Sequence, residues 1–384
     1  MRRKIPLAWL QLKREKIRLA VALSGISFAV VLVFMQYGFQ DSLYDSNTTP
    51  HQHLKGEIVL MHPQTRGLPA LQHFPRARLH QARAVTGVTS VHPLYIDFAE
   101  WKTSDTRQKY SIFVFGFDPA KPVFDLPEVT QNLSKIQQMD TVLFDRASLP
   151  EFGPIPTLIE QGQPVVREVE DRQIKVKGLF TIGTSFATDG TLITSDLNFM
   201  RLKPHRRLDE VDLGIVSLQP DVDPQVVKSS LQAKFGEEVK VMTRQEFIDL
   251  EIKYWSDGTA VGFIFGLGVF MGLFVGTVVV YQILYSDVSD HLAEYATLKA
   301  VGFSDRYLLN VVFKEALILA VLGYMPGFAI ATILYKLTHA ATQLQISMTI
   351  VRALWVLILT IGMCLSSGGI AVRRLHSADP ADIF

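Results

Sequence analysis

Apolar residues along this chain follow two patterns. Four runs carry no charged side chain: Leu19 to Phe39, Thr259 to Ser286, Ala316 to Tyr335 and Ala353 to Val372. Each can cross about 30 Å of hydrocarbon at about 1.5 Å per residue. In hydrocarbon an unpaired amide finds no water, so these runs are expected to be membrane-spanning helices. Between the first and second runs, apolar residues come in short bursts. Glu57 to Met61, Val91 to Phe98, Tyr110 to Phe117, Thr141 to Phe144, Ile174 to Ile182, Thr191 to Thr194 and Leu213 to Leu218 read as strands. Turn signals such as His62-Pro63, Asp118-Pro119 and Gln219-Pro220 follow several of them. Asp223-Pro224 opens a helix that ends near Gly236, by the usual cap-then-proline signature. A second helix, Thr243 to Tyr254, runs almost directly into the second span, with Trp255-Ser256-Asp257-Gly258 as the soft spot.

Composition fits a mosaic of lipid-solvated and water-solvated parts: of 384 residues, 48% are apolar and 20% charged. The net charge of +1 excludes a nucleic-acid binder driven by a global positive field. With one cysteine, Cys364, no disulfide can form within the chain. The distribution of basic residues sets the orientation. Arg2, Arg3, Lys4, Lys13, Arg14, Lys16 and Arg18 precede the first span, and Arg373 and Arg374 follow the last. Positive residues stay inside, so both termini are expected in the cytoplasm. The first run is too long for a signal-peptide core, and Gln40-Asp41-Ser42-Leu43 offers no small-x-small cleavage site, so it reads as an uncleaved helix.

The expected fold class is therefore a membrane α-helical protein with four transmembrane helices and an α+β extracytoplasmic domain inserted between helices 1 and 2. The plan is a cytoplasmic lead (1–18), a first span (19–39), a periplasmic domain with stalk (40–258), and a second span (259–286). A cytoplasmic coupling segment (287–315), a third span (316–335), a short periplasmic loop (336–352), a fourth span (353–372) and a cytoplasmic tail (373–384) complete it.

In the second span Gly262, Gly266, Gly268, Gly272 and Gly276 step mostly by four and fall on one side of a helix. Small residues there let a neighbour approach closely, either another span of the same chain or a second copy. Gly323, Pro326 and Gly327 should kink or loosen the third span, with Pro326 at the kink. Lys314 and Glu315 are expected at an interfacial position at its entrance. Catalytic signals are few. His51, His53 and His62 could approach a metal, but no third ligand is fixed, so no metal site is expected. There is no Gly-x-Ser-x-Gly elbow and no phosphate-binding Gly-x-x-x-x-Gly-Lys-[Ser/Thr] loop. No ionisable residue lies at the middle of a span, which argues against proton- or ion-coupled transport. No catalytic residue and no cofactor are expected on this chain.

Between the second and third spans, Ser289 or Asp290 can cap a short helix ending at Gly302. By its pattern alone this helix suits docking to a cytoplasmic partner or lying at the interface. The stretch Glu294-Tyr-Ala-Thr-Leu-Lys-Ala-Val-Gly302 resembles the Glu-Ile-Gly-x-Leu-Arg-Ala-Leu-Gly motif of FtsX-like, MacB-type ABC permeases. The amphipathic, basic lead Leu7-Ala-Trp-Leu-Gln-Leu-Lys-Arg-Glu-Lys-Ile-Arg18 resembles that family's approach to its first span, and the plan of one span, a large outer domain and three spans is similar too. Together with the ending Ser377-Ala-Asp-Pro-Ala-Asp-Ile-Phe384, the motif is similar to the DevC permeases of cyanobacteria.

The resemblance implies a mechanical transmitter in the bacterial inner membrane rather than a pore. Two copies would pair as a homodimer, each on a separate ABC ATPase that holds the ATP and magnesium. A periplasmic adaptor (a membrane fusion protein) and a TolC-like outer-membrane duct would pass the cargo on, glycolipid in the DevC branch. It places Glu294, Tyr295, Leu298, Lys299, Ala300 and Gly302 in the ATPase-coupling segment, with Gly302 as its turn. Tyr295-Ala296 replaces the family's Ile-Gly, a departure that fits the DevC branch. Alternatives within the resemblance are a lipoprotein-releasing permease and an FtsX-type regulator of a cell-wall hydrolase.

Overall fold

The computed structural model describes residues 16–103, 108–207, 209–291, 297, 301 and 305–376. The longer elements, in chain order, are α1 (Lys16–Gln52), β1 (Ile58–Met61), β2 (Phe74–Pro75), α2 (Ala77–Arg83), β3 (Val88–Lys102), β4 (Lys109–Phe117) and β5 (Thr141–Asp145). Then come β6 (Val165–Val169), β7 (Arg172–Phe180), β8 (Thr191–Ser195), α3 (Asp196–Leu202), β9 (Glu210–Val211) and β10 (Leu213–Leu218). The last are α4 (Pro224–Phe235), β11 (Lys240–Thr243), α5 (Arg244–Asp257), α6 (Ala260–Asp290), α7 (Asp305–Thr342) and α8 (Ile350–His376). The chain forms two units. One is helical, with Met1–Asp41, Ala260–Ala340 and Ile346–Phe384; the other holds the sheet, with Ser42–Thr259 and Ala341–Gln345.

Among the described residues, four helices of the helical unit are long and apolar enough to cross a membrane: α1, α6, α7 and α8. All outrun their charge-free stretches at one end or both, because a helix keeps its hydrogen bonds whatever its side chains. At the end of α1, polar side chains bond back onto the helix itself. Asn47 Nδ2 donates to Leu43 O at 2.7 Å, and Thr48 Oγ1 to Tyr44 O at 2.8 Å. The unit's core gathers Ile26, Val30 and Phe34 of α1, Val280 and Leu284 of α6, Leu319 and Ala320 of α7, and Val356 and Cys364 of α8. On α6, Phe263, Leu267, Phe270, Phe274 and Val278 form an exposed stripe, as a helix solvated by lipid requires.

In the sheet unit nine strands run in the order β11-β1-β10-β3-β4-β8-β5-β7-β6. The pairs β4–β8 and β5–β7 are parallel. Strand β3 is 15 residues long, and its end returns to pair Trp101 with Val169 of β6. That contact closes β3, β4, β8, β5, β7 and β6 into a ring, leaving β10, β1 and β11 as an open extension. Strand β4 shows the two-residue period of a pleated strand. Ile112 and Val114 enter one core with Trp101, Phe144 and Phe152; Phe113, Phe115 and Phe117 enter a second with Phe124. Helix α4 begins at the Asp223 cap, which accepts from Gln225 N at 2.9 Å. Helix α5 begins at a reciprocal capping box, Thr243 with Glu246.

Candidate functional site

The proposed ATPase-facing residues Glu294, Tyr295, Leu298, Lys299, Ala300 and Gly302 lie outside the described residues, as do most of the N-terminal lead and the stretch 377–384. The ends that flank the coupling segment are described. Helix α6 stops at Asp290, and Arg18 Nη2 of α1 reaches Asp290 Oδ2 at 2.5 Å. Both side chains are more than a third exposed, so this pair orders the helix ends more than it stabilises them.

The glycines of α6 lie in three environments. Gly268, Gly272 and Gly276 face α1: a Cβ at Gly268 would meet the Gln36 side chain, and one at Gly272 would sit 3.1 Å from Val33 Cγ2. A Cβ at Gly276 would lie 2.8 Å from Ala29 Cβ and would also press on Met363 of α8. Gly262 is buried, while Gly266 faces open space. From the other side Gly25 of α1 meets Val279, so small residues alternate across the contact.

A second seam joins α7 to α1. A Cβ at Gly323 would sit 2.6 Å from Ile26 Cγ2, and one at Gly327 would sit 2.7 Å from Val30 Cγ1. The Ser27 hydroxyl is shared between Leu23 O at 2.6 Å and Gly323 O at 2.9 Å. Helix α7 runs unbroken through Pro326, one residue before Gly327. Farther along, the Tyr335 hydroxyl donates to Phe34 O. Arg352 stacks 5.5 Å from the Tyr335 ring and binds Asp41 Oδ2 at 2.6 and 2.9 Å. Sequence reasoning treated Gly323 and Gly327 only as loosening residues. Their spacing of four was the available signal of a packing seam.

Glu315 departs from expectation. Its side chain, expected at an interfacial position, is fully buried within the helical unit, on a helix that already runs from Asp305. Burying an ionisable residue within a bundle of apolar helices is costly.

In the sheet unit, His51 is buried against Phe247, with ring centroids 4.3 Å apart. Its Nε2 lies 3.5 Å from Glu251 Oε2, longer than an ordinary hydrogen bond, and neither ring nitrogen has a hydrogen-bond partner among the described residues. Glu251 accepts from Leu68 N at 2.8 Å and Trp255 Nε1 at 2.9 Å. His53 and His62 do not join it: among the described residues no cluster of three metal-ligating side chains forms. Asp145, at the end of β5, accepts from the amides of Ala147, Ile182 and Gly183. Burial nevertheless dominates and pushes its carboxyl up to about 6.

The FtsX-like permease C-terminal family model matches residues 266–380, nearly all of α6 together with α7 and α8. No curated protein matches the chain. Among solved structures, the periplasmic region of MacB from Actinobacillus actinomycetemcomitans is similar at 10% identity and a TM-score of 0.35, covering 51% of this chain and 92% of that one. The extracellular domain of the noncanonic ABC-type transporter YknZ from Gram-positive bacteria is similar at 15% identity and a TM-score of 0.32, covering 48% and 98% respectively.

Proposed function

We propose that this chain is the membrane-spanning permease subunit of an ABC exporter in the bacterial inner membrane. A separate ATPase would supply the energy, and the chain would carry its motion to the sheet unit. The observation that carries this is the FtsX-like permease C-terminal match over residues 266–380. The matched stretch includes Glu294, Lys299 and Gly302, the residues proposed to face the ATPase.

Physical support comes from the helical unit. Glycine seams hold both α6 and α7 close against α1, so the three can move as a packed body. Helix α1 is unbroken from Lys16 to Gln52, so displacement at its start travels along its axis. The basic residues at both ends of the chain support cytoplasmic termini and a periplasmic sheet unit. A homodimer working with a periplasmic adaptor and an outer-membrane duct, with glycolipid as cargo, completes the proposal.

Gly302→Val tests it. A β-branched residue at the turn of the coupling segment should abolish co-purification of the ATPase while the chain still inserts and accumulates in the membrane. Normal ATPase recovery with this variant would sink the assignment of that segment.

A further inference from the structure

One face of α5 presents Leu250, Lys253, Tyr254 and Asp257, spaced by three and four residues. With the loop after β1 and the first residue of β11, this face lines an open cavity of about 890 Å³. Strand β11 is the edge of the sheet, and Lys240 stands opposite Met61 in the β1–β11 ladder. The loop from Pro63 to Arg66 continues from that corner.

The cavity wall holds three cations, Arg66, Lys240 and Lys253, against one carboxylate, Asp257. Several cations elsewhere in the sheet unit are paired, as in Lys102 with Glu168, Arg201 with Asp140, Lys203 with Glu170 and Lys228 with Glu246. None of the three cavity cations forms an ion pair or a side-chain hydrogen bond among the described residues. Gln64 and Gln72 add amide donors at the rim. We propose that this cavity binds a phosphate-bearing ligand, its phosphate held by Arg66, Lys240 and Lys253 and its remainder against Leu250 and Tyr254.

Three considerations select that chemistry. Several separate donors around one space suit an anion with several acceptor oxygens better than a single carboxylate. Burial holds the Lys240 ammonium below the usual lysine range with no carboxylate to offset it, and a bound anion would reverse that cost. The volume is that of a site for a small organic molecule, far larger than one phosphate ion, so the phosphate should belong to a larger molecule. By sequence, the cavity residue Gly258 precedes the apolar helix α6 by two positions, which favours a lipid headgroup over free phosphate as the source.

The assay is calorimetric titration of the purified full-length chain in a non-ionic detergent, with dihexanoyl phosphatidylglycerol and with inorganic phosphate as separate probes. The lipid should bind saturably and weaken with added salt. Arg66→Gln, Lys240→Gln and Lys253→Gln combined should weaken it about tenfold, three ion pairs being lost together. Asp257→Asn, which removes the one opposing charge, should tighten it about threefold. Inorganic phosphate binding as tightly as the lipid would keep the site and make free phosphate the source. No saturable binding of either probe, or a triple variant that binds like the parent, would overturn the proposal. The site stands or falls independently of the exporter assignment.

Discussion

The contact of α6 with α1 can be tested by adding one methyl group at each of three glycines. Gly266→Ala meets nothing within 4 Å. Gly272→Ala brings a methyl to 3.1 Å from Val33 Cγ2, a few tenths of an ångström too close. Gly276→Ala brings one to 2.8 Å from Ala29 Cβ, and a Cβ on the facing backbone cannot rotate away. The two helices must then separate by roughly 1 Å, and overpacking of this kind costs about 1–3 kcal/mol. Each substitution also gains about 1 kcal/mol of helix propensity, common to all three, so differences between them isolate the clash.

The chain's single cysteine supplies the readout. Cys364 is fully buried in the helical unit, next in sequence to the Met363 that packs on Gly276. Thermal unfolding in detergent, followed by a dye that fluoresces on reaction with an exposed thiol, therefore reports this unit. The expected order of stability is Gly266→Ala, then Gly272→Ala, then Gly276→Ala. A gap between first and last of about 2 kcal/mol corresponds to about 4–8 °C. Equal midpoints for Gly266→Ala and Gly276→Ala would refute the packing argument.

Three further outcomes follow from the same geometry. Glu251→Ala strands Leu68 N and the Trp255 indole and should destabilise the sheet unit by about 2–5 kcal/mol in urea unfolding followed by tryptophan fluorescence, with Glu251→Gln costing clearly less; a loss under 0.5 kcal/mol would show these bonds to be unimportant. Asp145, raised to about 6 in the fold from an ordinary value near 4, binds its proton more tightly folded than unfolded. Its contribution to stability should therefore fall as pH rises from about 4 to about 6, by at most roughly 3 kcal/mol, and stay level above; Asp145→Asn should flatten that slope in pH-dependent urea unfolding. Arg352→Leu removes the Asp41 pair, the bond to Ser347 O and the stack on Tyr335, and should lower the Cys364-reported midpoint by an amount equivalent to about 1–3 kcal/mol. Half-exposed Asp41 can rehydrate, which limits the loss.

What the sequence reveals depends on how local the governing physics is. The four spans are legible because hydrocarbon tolerates no charge, and the turn residue Gly236 and the cap at Asp223 act within a single turn. Strand β4 is legible because each of its faces meets a core. Strands β6 and β11 escape notice for the opposite reason: one is half exposed, with Arg167 and Glu168 in its middle, and the other is a four-residue edge. Closure of the ring depends on Trp101 meeting Val169, a pairing 68 residues apart that no local pattern announces. The burial of Glu315 was not legible, because it depends on which helices pack around the side chain and not on the apolar run beside it. His51 and His53 are neighbours in sequence, yet the helix that ends at Gln52 buries the first and leaves the second half-exposed. At the candidate site, spacing grouped Gly266 with Gly268, Gly272 and Gly276, whereas only the fold shows that the last three face α1 and that Gly266 faces open space.

The central claim is that this chain works with a separate ATPase, and its most direct test is purification of the tagged, full-length chain from native membranes in mild detergent, with mass spectrometry of what accompanies it. The account predicts an ABC ATPase in stoichiometric amount, together with a periplasmic adaptor. An ATPase accompanied by a cell-wall hydrolase would contradict the export role, and no ATPase under conditions that keep the homodimer intact would contradict the claim itself.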